Sequence, residues 1–197
     1  MQKHNNVMLD LETAGKTKNA ALVSIGAVFF HPASGEIGKG FYIPVKLASS
    51  MYYGLEVDGG TIEWWMRQND EARAVFNDEN RAPLKEALNQ LNNFIRENSQ
   101  DEDVQVWGNG PAFDNAIIAT AFDKTFIKPA WKYSKERCVR TMVELGRQIG
   151  IDPKYDAARQ VDIDWEEAAT EQCLSDQEIT NIVNAATGVI VSLSFAI

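Results

Sequence analysis

Two apolar runs joined by a short polar loop open the chain, NNVMLDLETAGKTKNAALVSIGAVFF at residues 5–30. Val7 to Glu12 predicts a strand and Leu22 to Phe30 its antiparallel hairpin partner, with the glycine and asparagine of TAGKTKN as turn formers. The first run is the tighter constraint. Side chains alternate along a strand, so Val7, Leu9 and Leu11 share one face while Met8, Asp10 and Glu12 share the other. A fold that uses this strand must cover one face with an apolar layer and accommodate two carboxylates on the other. Positions two apart on a strand lie about 6.6 Å from each other along the backbone. Carboxylates that close repel, and they lose solvation unless a positive charge joins them. A divalent cation meets that need, and paired metals in phosphoryl-transfer sites lie about 3.5–4 Å apart. From the spacing alone the simpler reading is a strand end emerging into water with both acids solvated.

The remaining pattern places these strands in an α/β domain. FYIPVKL predicts a third strand, with Pro44 favouring a sheet edge. Helical spacing follows in TIEWWMRQNDEARAVF and in APLKEALNQLNNFIREN, where Leu84, Leu88, Leu91 and Ile95 recur at steps of three and four. DVQVWGNG predicts a short strand ending in a glycine-rich loop. AFDNAIIATAF and VRTMVELGRQIG predict helices, the second with Gly150 as its C-cap, and Glu166 to Ala186 a last helix. Strands, helices, one strand, then helices indicate a mixed sheet flanked by helices.

VWGNGPAFDN supplies a third acid, since Asp114 falls just inside a helix that follows a strand. The helix dipole alone would favour an acid there. The alternative is a carboxylate delivered to the same cleft as Asp10 and Glu12. Gly108 and Gly110 would let the backbone pass close to a ligand. A net charge of −9 argues against a protein that coats nucleic acid non-specifically. Cys138 and Cys173 are too few for a disulfide framework, and they lie in no CxxC motif. With no signal-type segment at MQKHNN and no apolar stretch long enough to span a bilayer, the expectation is a cytoplasmic protein without a membrane partner.

LDLETAG with NAALVSIGAVFF, TIEWWMRQNDEAR, VWGNGPAFDN and WKYSKERCVRTMVELG occur in this order and spacing over about residues 5–152. Together they resemble the phage- and prophage-type 3′→5′ exonucleases of the DEDD, or ribonuclease-H-like, superfamily, in the branch of the T4 exonuclease A-like and mycobacterial exoribonuclease-like domains. The resemblance implies a ribonuclease-H-like fold for one domain over residues 1–197, with an atypical segment from about residue 155. It implies hydrolysis of the 3′-terminal phosphodiester of single-stranded DNA or RNA with two Mg²⁺ or Mn²⁺ ions. Asp10 would bridge both ions, Glu12 would hold one and help orient the attacking water, and Asp114 would bind the second through water. Thr13 would touch the terminal sugar, and Asn109 and Phe113 would line the nucleotide pocket. A homodimer is common among such relatives.

The C-terminal third departs from that pattern. The family ends with a histidine and, five residues on, an aspartate, but this chain holds only His4 and His31, both far upstream. VDIDWEEAATEQC stands there instead, with Asp162 at the histidine's place and Glu167 at the acid's; Asp164 and Glu166 are other candidate ligands. An acidic helix start is the plainer reading of the same residues. Glutamate can replace aspartate on a metal, whereas an aspartate with an ordinary pKa of about 3.9 is a weak base at neutral pH. GVIVSLSFAI is strand-like where the family continues as a helix.

Two further features are weighed on the residues alone. Trp64 and Trp65 could stack on bases, but core packing is favoured. The stretch Lys124 to Lys154 has eight basic against three acidic side chains, so at an overall −9 the rest of the chain carries −14. This stretch reads equally as a phosphate-contacting surface or a solvated face. Two rivals to an active exonuclease remain: an impaired nuclease-fold protein that binds nucleic acid or a protein, and a phosphohydrolase of free nucleotides.

Overall fold

The computed structural model describes residues 4–32, 36–100, 103–110 and 112–148. Five strands form one sheet in the order β3-β2-β1-β4-β5. β1 (Asn6–Thr13) pairs antiparallel with β2 (Leu22–Phe30), and β2 with β3 (Ile37–Pro44). Helices α1 (Leu47–Tyr52), α2 (Gly59–Met66), α3 (Asp70–Arg73) and α4 (Leu84–Asn98) then carry the chain to β4 (Gln105–Gly108), which runs parallel to β1. α5 (Asp114–Thr125) leads to β5 (Glu136–Cys138), parallel to β4, and α6 (Val139–Gln148) follows. The sheet is mixed and helix-flanked, as the strand and helix order predicts.

The two faces of the sheet bury different things. Val7, Leu9 and Leu11 of β1 join Val23, Ile25, Ala27 and Phe29 of β2 in the main core. α4 closes this core with Leu84, Leu88, Leu91 and Ile95, the stripe read from its spacing, together with Ala87, and α5 adds Ile117, Ile118, Ala121 and Phe122. Asn92 is buried on that stripe without an orphaned amide. It donates to the Lys128 carbonyl at 3.0 Å and accepts from the Ala130 N–H at 2.8 Å. The opposite face carries a smaller cluster in which α6 lays Val139, Met142 and Val143 against Met8, Phe30 and Trp107. Beyond Met8, the next two β1 positions on that face are Asp10 and Glu12.

Some elements differ from the sequence reading. TIEWWMRQNDEARAVF is not one helix: α2 stops at Met66, and Asn69 caps α3 by accepting the Ala72 N–H at 2.8 Å. A side chain that competes for backbone donors breaks the helical run locally. β3 starts at Ile37, four residues before the expected stretch, and lies at the sheet edge with Pro44 at its end. α1 and β5 have no counterpart in the sequence reading. The residues Glu136, Arg137 and Cys138 become a strand because β4 offers them a parallel partner. The expected helix from Glu166, the C-cap at Gly150 and the strand-like tail lie outside the described residues. Among the described residues no helix is long and apolar enough to cross a membrane.

Candidate active site

The carboxylates gather where β1 and β4 part. Their parallel pairing runs from Asn6 and Gln105 to Met8 and Trp107. The next N–H on the β4 side of β1, that of Leu11, finds no strand; it donates to Asp114 Oδ1 at 3.3 Å. The Asn109 N–H donates to Asp114 Oδ2 at 3.1 Å. Asp114 is thus held by backbone from both strand ends, and at 3 % exposure it is buried beside Asp10 and Glu12. After Glu12 the register with β2 shifts, a bulge of the kind that re-aims side chains beside functional sites.

The first turn of α5 can sit this close because residue 108 is glycine. A Cβ there would come within 2.5 Å of the Asn115 side-chain oxygen and 3.2 Å of the Asp114 Cβ. Asn115 in turn donates to the Arg137 carbonyl at 3.3 Å, tying the helix start to β5. Gly110 adopts φ +151°, a backbone conformation that L side chains rarely take, and the Arg140 guanidinium lies in ordinary contact, 3.4–3.6 Å from where a Cβ would be. Gly108 therefore makes room for the protein's own Asn115 side chain, while Gly110 is set apart by its backbone conformation.

The three acids perturb one another. Burial pushes the Asp10 carboxyl up to about 6, and the Asp114 charge adds to this, while the Leu11 N–H works against it. Burial also pushes Glu12 up to about 7, with Asp10 and then Asp114 adding. Burial raises Asp114 too, opposed by the N–H groups of Asn109, Leu11 and Asp114 itself and by the Arg140 charge. Ionising all three together requires a counter-charge.

Hard oxygen donors of this kind suit Mg²⁺ and Mn²⁺. Among the described residues, however, no group of three or more His, Cys, Asp or Glu side chains is placed so as to hold a metal ion. Each Asp114 oxygen already accepts one backbone N–H. A carboxylate oxygen has a second lone pair, so the donor chemistry still fits a divalent ion, with Asp114 suited to reach it through water.

The other expected residues are placed as follows. The Thr13 hydroxyl donates to the Gly15 carbonyl at 2.7 Å, and its own carbonyl accepts from Trp65 Nε1 at 2.9 Å, so Thr13 anchors the strand end. Asn109 sits in the loop beside Asp114, contributing its backbone N–H. Phe113 precedes α5 and packs partly against the main core. Of the tryptophan pair, Trp65 is buried and Trp64 is half exposed. Glu167, Asp162, Asp164 and Glu166 lie outside the described residues. His4 precedes β1 and His31 follows β2, at the end of the hairpin where Asn6 pairs with Phe30. Six residues of strand put His4 roughly 20 Å from Asp10. Tyr42, which no motif singles out, shares a row with Gly26 and Asp10 across three strands. Strand register, absent from a linear sequence, is the only signal for it.

The 3′-5′ exoribonuclease Rv2179c-like domain family matches residues 5–180, a span that includes the acids at 162–167. No curated protein matches the chain. Among solved structures, the nuclease domain of 3′hExo, a DEDDh family member, bound to rAMP, superposes with a TM-score of 0.53 at 9% identity, covering 95% of this chain and 92% of that one. A full-length 3′-exonuclease superposes with a TM-score of 0.52 at 10% identity, covering 98% and 84%. The fold is ribonuclease-H-like. Exonucleases of the DEDDh kind generally use divalent metal ions. The chain belongs to the Rv2179c-like 3′-5′ exoribonuclease domain family.

Proposed function

We propose that this family member is a metal-dependent 3′→5′ exonuclease, hydrolysing phosphodiester bonds at the 3′ ends of single-stranded DNA or RNA. The observation that carries the reading is the convergence of Asp10, Glu12 and Asp114 where β1 and β4 part, each with its pKa raised by burial. Asp10, Glu12 and Asp114 would hold two Mg²⁺ or Mn²⁺ ions, with Glu167 as the fourth acid. When bound, such ions acidify the attacking water and offset charge on the scissile phosphate. Glu12 orients that water. Asp114, fixed by the Leu11 and Asn109 N–H groups, holds the cleft's geometry against the repulsion of its neighbours. Thr13, Asn109 and Phe113 form the nucleotide side of the cleft. The protein acts in the cytoplasm on free strand ends, away from membranes, as a monomer or homodimer.

A second reading has its own observation: neither of the two histidines is near the acids, so no imidazole of this chain serves as general base. On that reading the protein binds nucleic acid or a protein partner with catalysis impaired. The test is degradation of 3′- and 5′-labelled single strands, DNA and RNA, with Mg²⁺ or Mn²⁺, beside Asp10→Asn and Asp114→Asn. Stepwise loss from the 3′ end, abolished by both substitutions, supports the exonuclease. Retained binding with no cleavage by any form supports the second reading.

A further inference from the structure

Three carboxylates repel the polyanion that an exonuclease must bring to them. A cation on the cleft's rim would counter this, and among the described residues the basic stretch from Lys124 provides one. Lys135 is paired with Asp103 at 2.6 Å, and Arg147 with Glu144 at 3.8 Å. Arg137 donates to the carbonyls of Ser134 and Glu136. The Lys124 ammonium lies beside Gly54, away from the acids. Lys128 and Lys132 are exposed and in no ion pair among the described residues, but they line a groove with Ile95 and Arg96 of α4; Arg140 differs in lying against the loop that holds Asp114. It is exposed, and among the described residues it has neither an ion pair nor a hydrogen bond. It sits in the first turn of α6, where the helix dipole disfavours a cation, so its helix gives it no reason to be there. Its guanidinium lies against Gly110, with its nearest atoms 3.4–3.6 Å from where a Cβ would stand, on the loop whose Asn109 N–H binds Asp114. Its charge is felt at the Asp114 carboxyl.

We infer that Arg140 is a phosphate-binding residue of the carboxylate cleft, gripping a phosphodiester of the polynucleotide near its 3′ end; the inference rests on the exonuclease reading. A guanidinium presents a planar fork that matches two phosphate oxygens. Lying against Gly110 with no ion pair among the described residues, it keeps its charge available at the rim.

The test measures binding separately from cleavage. Fluorescence anisotropy of a labelled single-stranded oligonucleotide, with Ca²⁺ in place of Mg²⁺, is followed over a KCl series for the wild type, Arg140→Gln, Arg140→Lys and Arg67→Gln. Arg67 pairs with Glu63 on α2 and serves as the control. Losing one phosphate contact lowers the slope of log affinity against log salt by about 1, and about a tenfold weaker affinity is expected for Arg140→Gln. Arg140→Lys keeps the slope and loses roughly threefold. If Arg140→Gln matches Arg67→Gln in affinity and slope, the inference is overturned, and cleavage by the wild type would leave the exonuclease reading standing. Binding that depends on Arg140 with no cleavage by the wild type supports the inference and overturns that reading. A wild type that binds no strand overturns the inference.

Discussion

The two faces of β1 are built from alternate residues of one strand, yet they solve opposite problems. Val7, Leu9 and Leu11 are almost wholly buried in the main core and gain stability by leaving water. Asp10 and Glu12, one position along, lose solvation in the same segment and are pushed to pKa values of about 6 and about 7. The first face holds the strand in place, and the second uses that rigidity to keep like charges together. Separating fold from chemistry by strand alternation implies that substitutions on the two faces act on different observables.

The largest expected effect is Asp10→Asn on activity. Losing a ligand that would bridge both ions should lower kcat roughly a thousandfold, about 4 kcal/mol. The same substitution removes a destabilising buried charge, so without metal its Tm at pH 8 should rise. Single-turnover degradation and thermal melts measure the two halves; a fall in both would break the comparison. Leu9→Ala should do the reverse, costing about 3 kcal/mol of stability through lost burial and a cavity. Activity per folded molecule, measured well below its Tm, should be retained.

Metal-free stability should also depend on pH with a defined sign. The folded-state pKa values of Asp10 and Glu12 lie above their ordinary values of 3.8 and 4.5. The folded state therefore binds more protons than the unfolded state in that range. This stabilisation is complete below about pH 4 and is lost as pH rises through 6 and 7. Urea titrations at pH 5 and pH 8 should differ by about 2–3 kcal/mol from this source. Mg²⁺ or Mn²⁺ should recover much of the loss at pH 8 and little at pH 5. A smaller effect is expected from Gly108→Ala. Its Cβ would press on Asn115 and Asp114, costing about 1–2 kcal/mol and shifting the acid at the head of α5. A drop in activity larger than the drop in stability would show the shift.

Much of this contrast is legible in the sequence. The alternation in VMLDLE puts the two acids on one face, and the leucine spacing marks the stripe on α4, because both signals are local and periodic. Asp114 is legible from its position after a strand and a glycine-rich loop. β5 is not, since its three residues carry no periodicity and become a strand only by pairing with β4. The break between α2 and α3 is hidden because Asn69 fits a helix and a cap alike until its side chain is seen accepting the Ala72 N–H. The work of Gly108 escapes a linear reading for a similar reason. Room for Asn115 is a property of how the start of α5 packs on the end of β4, which spacing along the chain does not encode.

The central claim is that the charged face of β1 is a divalent-cation site completed by Asp114. Calorimetric titration of Mn²⁺ into the whole chain at pH 7.5, beside Asp10→Asn, Asp114→Asn and Leu9→Ala, tests it most directly. The account predicts Mn²⁺ binding by the wild type and Leu9→Ala, abolished by Asp10→Asn and weakened by Asp114→Asn. Equal binding by all four chains, or none by the folded wild type, would contradict it.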